Sequence, residues 1–178
     1  MPARDTREGS ESPTMNPTSV ERSSDRELVI TRTFNAPPRL VFDAWTKAEF
    51  VRRWWAPVSL GVSMVSCEAD VRAGGRYRYV LKPRNGPEFA FSGTYREVTP
   101  HSRLVYTTFF EPNLAPPASE DEAAMVTVTF AADGERTHMV AREVYPSKAV
   151  LDGVIASGME HGLRETLDLL DELVQSLE

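Results

Sequence analysis

From position 28 the chain alternates. Leu28, Ile30, Arg32 and Phe34 fall on one side of an extended backbone and Val29, Thr31, Thr33 and Asn35 on the other, the period of a half-buried strand. Ala36-Pro37-Pro38 halts the strand and supplies prolines suited to a helix start. Val41, Phe42 and Trp45, then Phe50, Val51, Trp54 and Trp55, recur at helical spacing and predict one or two short helices that end before Pro57. Strand-type segments follow at 64–71, 76–82, 88–98, 103–110, 125–130 and 137–145. They are separated by Gly74-Gly75, Asn85-Gly86-Pro87, Thr99-Pro100, a proline-rich acidic stretch and Asp133-Gly134, all of which is turn chemistry. Connections this short leave no room for helical crossovers, so neighbouring strands should pair antiparallel. Finally Leu151, Ile155, Met159, Leu163, Leu167, Leu170, Val174 and Leu177 recur every three or four residues and predict one amphipathic helix over 148–177. At about 1.5 Å per residue it would be roughly 45 Å long, enough to cross a sheet of six or seven strands roughly 30 Å wide.

Residues 1–26 hold only Met1, Ala3, Met15 and Val20 as apolar side chains, too few to offset the entropy of ordering them. This stretch reads as a disordered tail, with Met15 an alternative start, and leaves a single domain over 27–178. The 178 residues are 41% apolar, sufficient for one core. A net charge of −6 repels phosphate backbones and anionic lipid heads, which argues against nucleic-acid binding. The lone Cys67 cannot form an internal disulfide, no secretory h-region is visible, and the best apolar run, 123–132, is too short to span a bilayer. A cytoplasmic protein without a membrane span is expected. Much of the negative charge sits on the closing helix, at Asp152, Glu160, Glu165, Asp168, Asp171, Glu172 and Glu178, and is expected on its solvated face.

A strand, a helical pair, a run of antiparallel strands and a long closing helix make a helix-grip arrangement. The opening Thr33-Phe34-Asn35-Ala36-Pro37 with Val41 and Trp45, then Trp54-Trp55-Ala56-Pro57, Asp70-Val71-Arg72-Ala73-Gly74-Gly75-Arg76-Tyr77, Gly93-Thr94-Tyr95-Arg96-Glu97-Val98, Arg103-Leu104-Val105-Tyr106 and Gly158-Met159-Glu160-His161-Gly162 occur in that order. This series resembles the START-like (SRPBCC) superfamily, specifically the bacterial proteins similar to the activator of Hsp-90 ATPase, over 27–177. Ala56 departs from the family's usual glycine after the paired tryptophans. The resemblance implies an α+β helix-grip (Bet v 1/START-like) fold with a curved antiparallel sheet of six to seven strands around a long C-terminal helix. It also implies an apolar cavity between sheet and helix that holds a hydrophobic small molecule: lipid-like, polyketide-like or aromatic. The residues assigned to that cavity are Phe42, Trp45, Trp54, Trp55, Tyr77, Tyr79, Phe89, Phe91, Tyr106, Phe110, Ile155 and Met159.

Other chemistry is sparse. Phe89, Phe91, Gly93 and Tyr95 share a strand face, which suits either core or pocket. Asp70, Arg72 and Arg76 around Gly74-Gly75 read as a hairpin with cross-paired charges or, alternatively, as an anion-binding cluster. His161 has Glu165 one turn on, an arrangement that could hold its tautomer. With His101 and His138 it makes no ligand spacing, so neither a metal nor any other cofactor is expected. Gly153, Gly158 and Gly162 weaken the last helix and suggest either close packing or room for the pocket. The 111–124 stretch reads as a surface loop, lid or decoration. No nucleophile motif is present, so no catalytic residue is assigned.

Three functional readings follow. The first is non-catalytic binding of a hydrophobic small molecule. The second is a chaperone-associated, ATPase-stimulating module, although the eukaryotic activator has a further domain for which this chain has no space. The third is a cyclase-like or hydrolase-like enzyme using the same cavity, with His161, Asp70, Tyr77 or Glu143 as proton-transfer groups. The resemblance also leaves room for a homodimer through a strand edge or helix face.

Overall fold

The computed structural model describes residues 16–178; the start of the expected tail, with Met15, lies outside the described residues. The elements in chain order are β1 (Ser19–Arg22), β2 (Glu27–Phe34), α1 (Pro38–Thr46), α2 (Ala48–Trp54), β3 (Val62–Ala69), β4 (Arg76–Pro83), β5 (Phe89–Thr99), β6 (Arg103–Glu111), β7 (Ala124–Asp133), β8 (Arg136–Val144), α3 (Lys148–Ala156) and α4 (Met159–Ser176). Short 3-10 turns lie at Val58–Leu60, Pro112–Leu114 and Glu120–Glu122. The strands form one antiparallel sheet in the order β1-β2-β8-β7-β6-β5-β4-β3, and the helices lie on its concave face. This is the helix-grip α+β architecture, with eight strands where six or seven were expected.

The additional strand comes from the expected tail. Ser19–Arg22 pairs with β2 from Ser19 opposite Thr31 to Arg22 opposite Leu28. Backbone pairing needs no apolar side chains, so the hydrophobic pattern could not reveal it. Polar contacts hold the segment before it: the Asn16 amide donates to Asn35 Oδ1 (3.1 Å), Arg32 Nη1 donates to Thr18 Oγ1 (2.9 Å), and Arg164 donates to the Thr18 carbonyl. The ordered domain therefore begins ahead of Glu27.

The closing helix is also two segments rather than one. α3 starts at Ser147, whose hydroxyl accepts from the Val150 N–H, and ends at Gly158, whose φ of 79° is left-handed. Such a residue stops a helix, and glycine adopts the conformation without a Cβ penalty. The apolar period runs unbroken in sequence across this interruption, although of its α3 members Leu151 is buried and Ile155 is not.

Two packed clusters share that interior. One joins Ile30, Phe34, Val41, Phe42, Leu104, Val128, Phe130 and Met139 to Leu167, Leu170 and Val174 of α4. The other gathers Val51 of α2 against Cys67, Tyr77, Tyr79, Leu81 and Tyr95 of β3 to β5. At Gly93 the sheet admits no side chain, since a Cβ would lie 1.8 Å from the Thr107 carbonyl oxygen. The space above that glycine is where Tyr77 lies.

Candidate functional site

Strand alternation builds the site's floor. The register places Leu28, Glu143, Val126, Tyr106 and Tyr95 in one row across five adjacent strands. Along β8, Met139, Ala141 and Glu143 face inward, and Tyr145 follows them at the strand's end. Tyr77, Tyr79 and Leu81 of β4 and Phe89 and Phe91 of β5 extend the floor toward β3. Trp45, Trp54 and Trp55 close one end, and Met159, Leu163, Thr166 and Leu167 of α4 form part of the roof. The cavity enclosed is about 720 Å³.

Ten of the twelve residues assigned from sequence line this cavity, and two do not. Phe42 packs in the core, its ring 5.6 Å from that of His101 and 5.7 Å from that of Phe130. Trp45, one turn later on α1, is the residue that reaches the cavity. Ile155 is 43% exposed. The lining stripe of α3 is Val150, Gly153, Val154 and Ser157, one residue out of phase with Leu151 and Ile155 and hence about 100° round the helix. Sequence reading followed the seam that packs Leu151 and missed the adjacent one. The glycine positions lining the cavity show no tight contacts: a Cβ at Gly153 or Gly158 would meet nothing within 4 Å, and one at Gly162 only ordinary contacts from 3.7 Å. They leave room instead of allowing close packing.

The aromatic lining is interlocked. Trp55 stands edge-on to Tyr79 and to Phe91, each at 5.1 Å, and Tyr77 meets Tyr106 at 5.6 Å in a T-shape. Trp54 is the structural indole, donating its N–H to the Ala44 carbonyl at 2.8 Å. Tyr77 donates to the Thr107 carbonyl at 2.9 Å. Burial pushes the phenols of Tyr77, Tyr79 and Tyr106 well up, and that of Tyr95 to about 12 against an opposing hydrogen bond with Tyr79. All four stay protonated and neutral at physiological pH.

One carboxyl faces this surface from the floor. Glu143 Oε2 accepts from the Tyr145 hydroxyl at 2.8 Å, and among the described residues its other oxygen has no hydrogen bond. Burial raises its pKa above the usual glutamate range, with the Tyr145 bond working the other way. Period-two counting from Met139 and Ala141 carries the signal for its inward placement. Tyr95 was readable in the same way from Phe89 and Phe91. Tyr145 was not, because it lies beyond the strand.

The remaining candidates lie elsewhere. Arg72 pairs with Asp70 at 2.8 Å on the surface, and the Gly74 N–H is spent on the Tyr95 carbonyl and the Gly75 N–H on that of Arg72. The amides an anion would need are thus taken, so the turn is a docked hairpin. His161 is exposed, and the Ser59 N–H and hydroxyl occupy Glu165, holding its carboxyl below the usual range. His138 lies 3.5 Å from Thr33 Oγ1 on the outer face. Among the described residues no group of three His, Cys, Asp or Glu side chains could hold a metal, and no helix is long and apolar enough to cross a membrane.

The opening is marked by lining residues that are also exposed: Leu60, Phe110, Glu122, Val150 and Gly158. The 111–124 loop therefore contributes to the rim through Glu122 and to the wall through Ala124. Its first residue is anchored, since buried Glu111 pairs with Arg78 at 3.3 Å.

Solved structures share this architecture. A Rhodobacter sphaeroides protein matches with a TM-score of 0.78 and 22% identity, over 90% of this chain and 99% of that one. A Nitrosomonas europaea protein matches at 0.75 and 23%, over 87% and 97%. A Mycobacterium smegmatis protein matches at 0.76 and 22%, over 88% and 96%. At these identities the likeness is one of fold. No protein among the curated sequences matches. The family model described as "Activator of Hsp90 ATPase homolog 1-like protein" matches residues 35–175, and the chain belongs to that family.

Proposed function

We propose that the protein binds a hydrophobic small molecule between the sheet and α3–α4. The observation that carries this reading is the cavity of about 720 Å³ with its lining of Trp45, Trp55, Tyr79, Phe91 and Tyr106. Ligand sites run from about 300 to 1,000 Å³ and are mostly apolar, with a few fixed polar groups, which is the composition found here. The lone buried Cys67 is compatible with a reducing, cytoplasmic setting. Titration with the neutral fluorophore N-phenyl-1-naphthylamine tests the reading: saturable 1:1 enhancement is expected, and its absence at micromolar protein would overturn it. Native mass spectrometry of gently purified protein would identify a retained ligand.

A second reading, a reaction on the same ligand, is favoured by the Glu143 carboxyl and Tyr145 hydroxyl facing the cavity. Its test is a mass change in an extracted ligand on incubation with the protein, lost in Glu143→Gln. The ATPase-activating role in the family's description is tested separately, by the effect of the purified chain on a bacterial Hsp90 ATPase.

A further inference from the structure

Glu143 lies in the floor of the cavity, between Leu28 and Val126 in neighbouring strands, and among the described residues its carboxyl is held by Tyr145. Among the described residues the lining contains two carboxyls, Glu143 and Glu122, and no lysine, arginine or histidine. The cations nearby in sequence are committed elsewhere: Arg142 pairs with Glu27 at 3.1 Å and Lys148 with Asp152 at 2.9 Å, both on the surface. Glu143 is partly exposed to the cavity, and a carboxyl facing a mostly apolar chamber with no cation beside it there lacks a counter-charge.

We propose that the ligand of this cavity is an amphiphilic cation, an aromatic or alkyl body carrying a protonated or quaternary amine that pairs with Glu143. This rests on the small-molecule reading above and narrows it to one chemical class. Three features converge on it. Glu143 supplies the negative charge. The rings of Trp45, Tyr77 and Tyr106 line the same chamber, and aromatic rings attract a cation through their quadrupoles, most strongly where water is excluded. At the rim, Glu122 lies in the acidic run Glu120-Asp121-Glu122, and a chain of net charge −6 draws cations toward the opening. A fatty acid or phosphate ester would bring a second negative charge into a lining without a counter-ion. A neutral lipid would leave Glu143 unpaired.

The test uses the full chain and an isosteric series: 1-naphthylmethylamine, 1-naphthalenemethanol and 1-naphthoate, each displacing N-phenyl-1-naphthylamine at neutral pH. The amine is expected to displace the probe about tenfold more tightly than the alcohol, with naphthoate weakest. In Glu143→Gln the amine and the alcohol should converge to within about twofold. The preference should persist in about 0.5 M NaCl, which screens attraction to the outer surface far more than attraction inside the cavity. Failure of the probe itself to bind overturns the small-molecule reading. Probe binding with the alcohol or naphthoate equal to or tighter than the amine overturns the cation assignment alone. An amine preference that survives Glu143→Gln, or vanishes in salt, overturns the role given to Glu143.

Discussion

Arg32 of β2 and Asp171 of α4 meet across the interior, Nη2 to Oδ2 at 3.0 Å, with side chains only 1% and 0% exposed. Arg32 also reaches Asp168 at 2.6 Å, while Asp171 Oδ1 accepts from the Asn35 N–H and the Gln175 amide. The pair joins the helical layer to the sheet at the end remote from α3. Breaking a buried pair by removing one partner leaves the other charge desolvated, so Asp171→Ala is expected to cost about 3–5 kcal/mol in urea unfolding. Replacing both with apolar residues of similar volume, Arg32→Met with Asp171→Leu, should recover most of that loss.

Glu143 gives stability a pH dependence of the opposite sign to an ordinary paired carboxylate. Its folded pKa lies above its unfolded value because the cavity disfavours the charged form. Between those two values the unfolded chain has released the proton and the folded chain keeps it, so ionisation favours unfolding. The contribution is fully present below the usual glutamate range and is lost as pH rises through the folded value. The groups facing it are Tyr145, Tyr77 and Tyr106, none of which titrates in that window. Comparing Glu143→Gln with the parent across pH 4 to 8 by thermal melting should show the variant gaining relative stability as pH rises.

Gly93→Ala is expected to be strongly destabilising, by about 2–3 kcal/mol or more, because the added carbon meets the Thr107 carbonyl oxygen at 1.8 Å. Gly162→Ala should do the reverse. A Cβ at this helical site would make only ordinary contacts with Leu60 and Pro57 from 3.7 Å, so removing the glycine entropy should add about 0.5–1 kcal/mol in the same assay.

Phe42 and Phe110 separate core from site. Phe42, 6% exposed and edge-on to Phe130, should cost about 3–5 kcal/mol when cut to Ala, with probe affinity of the folded protein unchanged. Phe110 is 57% exposed yet lines the opening, so Phe110→Ala should move stability by no more than about 0.5 kcal/mol and weaken probe binding several-fold.

Hydrophobic period carried most of the architecture: the alternation through Leu28 to Phe34, the spacing of Trp45 and Trp54, and the run from Leu163 to Val174 each mark a buried face. What it could not carry was polar. β1 is held by backbone pairing and by Thr18 and Asn16, which have no apolar signature. Asp171 reads as one more charge on a solvated helix face until Arg32, on a strand far away in sequence, is brought beneath it. The stop at Gly158 left the apolar period undisturbed, so Ile155 was assigned to a lining that its neighbours Val150 and Val154 supply.

β1 covers the outer edge of β2, and the opposite margin of the sheet, β3, is interrupted by a bulge between Met64 and Ser66. A chain trimmed to begin at Glu27 would uncover β2 along Leu28 to Thr31, presenting unpaired amides and carbonyls to any extended segment nearby. Ser19–Arg22 thus covers an edge otherwise open to strand-to-strand association, and a chain trimmed by hydrophobicity alone to begin at Glu27 is expected to aggregate more readily.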